Sequence, residues 1–191
     1  MPTRKLKVNP SVAYRLIHPM HTVLVSCIGK NRKSNIITLA WVMPTSIHPP
    51  LVAVSIAPKR HSYKLIRETK EFVVNIPTMN ILTETLFCGR RSGKIYSKFK
   101  ETGLTPSRAR KLKTPIIKEC IAHLECKLHS QFKTGDHTIF VGKIVEAYAA
   151  KEAFTDKYDL EKARMIFHLG ADDFATLNPN VFRPKLKSHK H

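Results

Sequence analysis

Apolar and polar positions alternate along much of the chain with the period of two that a half-buried β-strand requires. The runs 22–28 (TVLVSCI) and 35–42 (NIITLAWV) flank a polar connection at 29–34 and predict a hairpin. A third strand is expected at 51–57 (LVAVSIA), entered through Pro49-Pro50 and left through Pro58, and a fourth at 71–77 (EFVVNIP). The longest pair, 119–132 and 137–149, turns at Lys133-Thr134-Gly135-Asp136. Gly142 inside its second member marks a bulge or a bend. A short last strand is expected at 165–169. Helical signals are few: Ser62 as the cap of 63–68, Thr83 as the cap of 84–90, and a short segment at 93–101. Many strands and few helices predict a mainly β fold, an antiparallel barrel, closed or nearly so, with short helices over its ends. A doubly wound parallel sheet needs a helix after almost every strand and is excluded.

A length of 191 residues suits one domain with extensions, and 42% hydrophobic residues are enough for a real core. The domain is expected at 11–175, between a basic extension at 1–10 and a basic tail at 176–191. No stretch approaches the ~20 apolar residues of a membrane span, and no apolar run follows the first basic residues as in a secretory signal. A cytoplasmic protein without a membrane role is therefore expected. Cys27, Cys88, Cys120 and Cys126 are dispersed without a Cys-x-x-Cys pair and read as buried, reduced thiols. Cys120 and Cys126, six apart in a strand-like run, are expected on one face. Lys and Arg number 33 against 14 Asp and Glu, a net charge of +19. Such an excess attracts nucleic acid, phosphorylated cofactors or acidic proteins, or it is a generally basic surface.

Two segments suit an anion. In Ile56-Ala57-Pro58-Lys59-Arg60-His61-Ser62 a buried strand runs into a basic turn and a helix start, where free N–H groups and the helix dipole favour phosphate. Ser62 would be cap and phosphate donor at once, or only a helix cap. Cys88 to Phe99 holds Gly89, Gly93 and several cations, but the glycine spacing and Ile95 are wrong for a P-loop. It reads as a basic loop over a ligand mouth. No Gly-x-Gly-x-x-Gly or Gly-x-Ser-x-Gly occurs. Trp41 suits either the core or an aromatic wall for a planar ligand. His18-Pro-Met-His21 lacks a carboxylate and reads as loop histidines rather than a metal site. Arg108-Ala-Arg-Lys-Leu-Lys113 is a solvated cationic run, or the best local case for nucleic acid.

Taken in order, several motifs resemble the flavin reductase-like proteins with an FMN-binding split β-barrel, a group that includes flavoredoxins, flavin reductases and some ferric reductases. They are Asn35-x-x-Thr38-x-Ala40-Trp41, Ser46-x-x-Pro49-Pro50-Leu51-Val52, Val54-Ser55-Ile56, Arg60-x-Ser62, Glu71-Phe72-Val73-Val74-Asn75-Ile76, Ser92-Gly93 with Lys98-Phe99, and Gly135-Asp136-His137 with Val141-Gly142. The match runs from about Tyr14 to Gly170. The resemblance implies a homodimer with one non-covalent FMN per subunit near the interface. It implies that Asn35, Thr38, Ala40 and Trp41 hold the ring and ribityl chain, with Ser55 among the cofactor residues. Arg60, Ser62 and Lys98 would bind the phosphate, and His137 and Phe167 would approach the ring. An acidic residue commonly precedes the lysine; here it is Ser97.

The activity implied is reduction of flavin, or of an acceptor through flavin, by NADH or NADPH, with His137 as the catalytic residue. A flavoredoxin-like carrier reduced by a protein partner is the alternative. An FMN of about −2 charge leaves most of the basic excess unexplained, and weak, salt-sensitive nucleic-acid binding is the third possibility.

Overall fold

A computed structural model describes residues 4–186; positions 1–3 of the basic extension and 187–191 of the basic tail lie outside the described residues. The strands are β1 (Met20–His21), β2 (Val23–Ile28), β3 (Ser34–Leu39), β4 (Val42–Ser46), β5 (Leu51–Ile56), β6 (Glu71–Ile76), β7 (Pro106–Ser107), β8 (Ile116–Ile117), β9 (Ala122–Thr134), β10 (His137–Ala149), β11 (Phe167–Gly170) and β12 (Asp173–Ala175). The helices are α1 (His61–Thr69), α2 (Leu82–Arg90) and α3 (Lys98–Thr102), with 3₁₀ turns at Pro10–Ile17 and Met79–Ile81. Seven strands form one antiparallel sheet in the order β3-β2-β6-β9-β10-β5-β4. The sheet curls until β3 touches β5, and β1-β11-β12 form a small second sheet. The architecture is the mainly β, antiparallel split barrel expected from the sequence.

Inside the curl, Val25, Val54, Ile56, Ile66, Phe72, Val74, Cys126 and Phe140 make the main core. Outside it, Leu24 and Ile36 pack with Cys88, Leu104, Ile117 and Cys120. This second layer holds α2 and α3 over β3. All four cysteines are buried and free, as expected. Cys120 and Cys126 lie in different clusters rather than on one face, because β9 starts at Ala122 and Cys120 sits in a turn, its N–H donating to Ile117 O.

Several boundaries move. The expected strand 35–42 breaks at Ala40-Trp41, where Trp41 O accepts the Ser55 N–H, and β4 follows as a separate edge strand. Its Pro44 is tolerated because β4 lies at the edge of the sheet. The long hairpin turns on Gly135-Asp136 alone, with Gly135 at φ 57°, so β9 extends to Thr134. Gly142 lies at a register shift of β10 against β9, with His129 the extra residue. The helix expected at 93–101 shortens to α3. The strand expected at 165–169 begins at Phe167, Met165 making only an isolated bridge to Thr78. Thr83 does not cap α2, whose N-cap is Ile81 at the end of the preceding 3₁₀ turn.

Candidate functional site

A cleft of about 290 Å³ opens between β3, β5, α2 and the small sheet. Thr38, Ala40, Trp41, Ser55, Arg60 and His137 line it. Its wall is a file of aromatic rings. His137 stands 4.8 Å from Trp41, Trp41 5.7 Å from Tyr14, Tyr14 6.2 Å from His18, His18 5.3 Å from His168, and His168 5.4 Å from Phe174. The break in the sheet at Ala40-Trp41 turns the indole into this cleft instead of the core, leaving it 37% exposed. His137 is the first residue of β10, and its Nδ1 lies 2.7 Å from Asp136 Oδ1. In the neutral ring Nδ1–H donates to the carboxylate, which leaves the lone pair on Nε2. The hydrogen bond to His137 in turn holds the Asp136 carboxyl below the usual range.

A second cavity of about 200 Å³ shares Ile37, Arg60 and Gly89 with the cleft. Asn35, Lys59, His61, Ser62, Cys88, Arg91, Ser92, Gly93 and Lys98 complete its lining. It sits at the N-terminus of α1, whose N-cap is Arg60 and which no side chain caps. Ser62 is therefore not the cap. The helix begins two residues earlier than expected, and the buried Ser62 Oγ turns inward to accept from Asn35 Nδ2 at 2.8 Å. The first-turn N–H groups thus have no side-chain partner and face a cationic cavity. Lys98 is 3% exposed; its Nζ donates to Ile36 O at 2.7 Å and Cys88 O at 2.5 Å. Burial brings the Lys98 ammonium down to about 8, against the pull of Cys88 and Cys27 in the other direction. Gly93 fits tightly here, since a Cβ on it would lie 2.0 Å from Asn35 Oδ1.

The structure brings together every sequence-predicted site residue except Phe167. Phe167 packs against the barrel core and lies 5.4 Å from the His21 ring, because the alternation of β11 turns its neighbour His168 into the cleft instead. Sequence reading missed Tyr14, His18, Thr22, His168 and Phe174. The His18-Pro-Met-His21 segment was the available signal, and it forms no metal cluster among the described residues. His18 Nδ1 instead bonds His168 O at 3.0 Å. The basic loop after Cys88 does reach the ligand mouth, through Gly89, Arg91, Ser92 and Gly93.

The chain belongs to the flavin reductase like domain family, whose model matches residues 14–168. It is similar to an uncharacterized protein of Pyrococcus abyssi, 36% identical over 170 residues that cover 89% of this chain and 97% of the relative. It is also similar to a flavin reductase of Pseudomonas putida, 28% identical over 135 residues, 71% of this chain and 76% of the relative. Among solved structures, a flavoredoxin from Methanosarcina acetivorans superposes with a TM-score of 0.84 at 28% identity, covering 95% of each chain.

Proposed function

We propose that the protein is an FMN-dependent oxidoreductase that uses NADH or NADPH to reduce flavin, or an acceptor through flavin, and works as a homodimer. One observation carries this reading: an aromatic cleft runs into a cationic cavity at an uncapped helix start, the shape and charge sequence of a planar ring with a phosphate tail. Two buried polar atoms support the fit. Thr22 Oγ1 and His18 Nε2, both of residues lining the cleft, have no protein partner, so a ring edge with donors and acceptors would satisfy them.

Bound FMN supplies the two-electron chemistry between nicotinamide and acceptor. The chain's own residues do the rest. Trp41 and Tyr14 provide an apolar face for the ring. Arg60, Lys59, Lys98 and the first N–H groups of α1 hold the phosphate. His137 presents Nε2, an acceptor when the ring is neutral and a donor when it is protonated, with Asp136 fixing the ring through Nδ1. The flavoredoxin likeness supports the second reading, an electron carrier reduced by a protein partner.

Titration with FMN and riboflavin, followed by flavin fluorescence, tests the site. Charged hydrogen bonds to phosphate are worth roughly 1.5–3 kcal/mol each, so FMN is expected to bind at least about tenfold tighter, and Arg60→Ala to narrow the gap. Equal affinity for the two flavins overturns the assignment. Steady-state NADH and NADPH oxidation with FMN present separates enzyme from carrier.

A further inference from the structure

The cationic cavity does not end at α1. It shares His61 and Gly93 with a depression of about 910 Å³, which in turn shares Gly29, Lys30, Glu68 and Pro106 with another of about 950 Å³. The three form one groove between the β2–β3 turn, the outer face of α1 and the segments 93–99 and 106–115. Lys30, Arg32, Lys33, Lys94, Arg108 and Lys113 line it, all exposed. None of the six makes an ion pair among the described residues; Lys64 alone reaches a groove carboxylate, Glu68 at 3.7 Å. Burial first, then the charges of Lys94, Lys64 and Lys98, pushes the His61 imidazole below its ordinary pKa.

The neighbouring carboxylates are spent on backbone. Glu125, fully buried, accepts the N–H groups of Arg110 at 2.7 Å, Lys111 at 2.8 Å and Leu112 at 3.1 Å, and the Tyr148 hydroxyl at 3.0 Å. Glu71 accepts from the N–H groups of Lys113 at 3.0 Å and Thr114 at 2.7 Å. These bonds pin the main chain of the 108–113 run while leaving its side-chain cations unneutralised.

We infer that this groove binds single-stranded nucleic acid. Its concave, continuous form suits a thin charged chain better than a folded acidic protein, which meets a flatter patch. Tyr96 and Phe99 stand half-buried in its wall among the lysines, the combination of backbone-tracking cations and aromatic faces that single strands use. The site accounts for basic charge that a cofactor phosphate leaves over.

The test is fluorescence polarisation of the full chain with a labelled twelve-residue oligothymidylate and oligouridylate. Engagement of six phosphates predicts a slope of log affinity on log salt near −4, a loss of about 300-fold between 50 and 200 mM salt, with little base preference. Lys33→Glu with Lys94→Glu should weaken binding more than tenfold and flatten the slope. Lys151→Glu with Lys157→Glu changes net charge equally outside the groove and should stay within about threefold of the parent. Far-ultraviolet circular dichroism verifies that both pairs fold. No binding at 50 mM salt, or equal losses in the two pairs, overturns the inference. Displacement of the oligonucleotide by poly-glutamate at equal charge concentration also overturns it, in favour of an acidic polypeptide.

Discussion

At the scale of single residues, Lys98 and His137 divide the work expected of the site between them. Lys98 is both anchor and charge. Its bonds to the Ile36 and Cys88 carbonyls tie α3 to β3 and α2, so truncating it costs stability as well as phosphate affinity. pH separates the two roles without a mutation. With its pKa lowered to about 8 by burial, Lys98 is charged at neutral pH and loses its proton as pH rises past that value. A bound phosphate holds the proton on to somewhat higher pH. FMN affinity is therefore expected to fall about tenfold between pH 7.5 and 10, while riboflavin affinity, which lacks the phosphate, stays flat over the same range. Parallel pH curves for the two flavins would contradict a phosphate contact by Lys98. His137 is already half-committed, with Nδ1 turned to Asp136 and its ring on Trp41. Replacing it by Ala should keep the fold and some FMN but slow flavin reduction by nicotinamide about 10–100-fold, the scale of one charge-assisted hydrogen bond. His129, exposed at the bulge of β9, is the matched control. His123 is unsuitable, since it is buried and bonded to Asn75 Oδ1 at 2.9 Å. Anaerobic stopped-flow rates equal to the parent's would leave His137 a turn residue only.

At the scale of elements, the bulge at Gly142 shows how the barrel bends around its core. A Cβ there would lie 2.5 Å from Phe72 Cζ and 2.8 Å from Cys126 Cβ, both buried in the main core. Phe72 has no exposed end to swing away. Gly142→Ala should therefore cost about 1–3 kcal/mol, the usual penalty for overpacking, read as a lowered denaturant midpoint with an unchanged m-value. The glycine in a strand was legible from sequence because a strand interior has no other use for it. The β9–β10 hairpin was equally legible, its long alternation and turn leaving one register that buries Phe140 and Cys126. What stayed hidden depended on partners far along the chain. Strand β4 exists because β5 offers it an edge to pair with. The start of α1 moved by two residues, and Asn35, on a strand, claims the Ser62 hydroxyl that would have capped it. The same holds in the site: the place of His137 follows from its own hairpin, whereas Trp41 turns into the cleft at a break that β5 holds, and His18, Thr22, His168 and Phe174 join only when the small sheet closes over the cleft.

At the scale of the whole molecule, a strongly cationic chain must still find an apolar place to self-associate if it works as a dimer. The 3₁₀ turn Pro10–Ile17 exposes Leu16 at 68% and Ile17 at 69%, and the edge strand β4 with its following turn exposes Met43 at 57% and Ile47 at 80%. The packing of Tyr14 on Trp41 brings these two segments together beside the cleft. The groove face, dense in unpaired cations, is a poor self-complementary surface, since a two-fold axis would set like charges against one another. The apolar patch is the better candidate, and burying it next to the flavin cleft would couple assembly to cofactor binding. With +19 per chain, long-range repulsion opposes association and salt screens it. Light scattering at 150 mM salt and micromolar concentration should give about twice the chain mass of 21.8 kDa, and the dimer should loosen as salt is lowered. Leu16→Glu with Ile17→Glu should yield a folded monomer that binds FMN more weakly. A parent protein that scatters as a monomer would remove the dimer, and a double variant that stays dimeric would move the interface elsewhere on the surface.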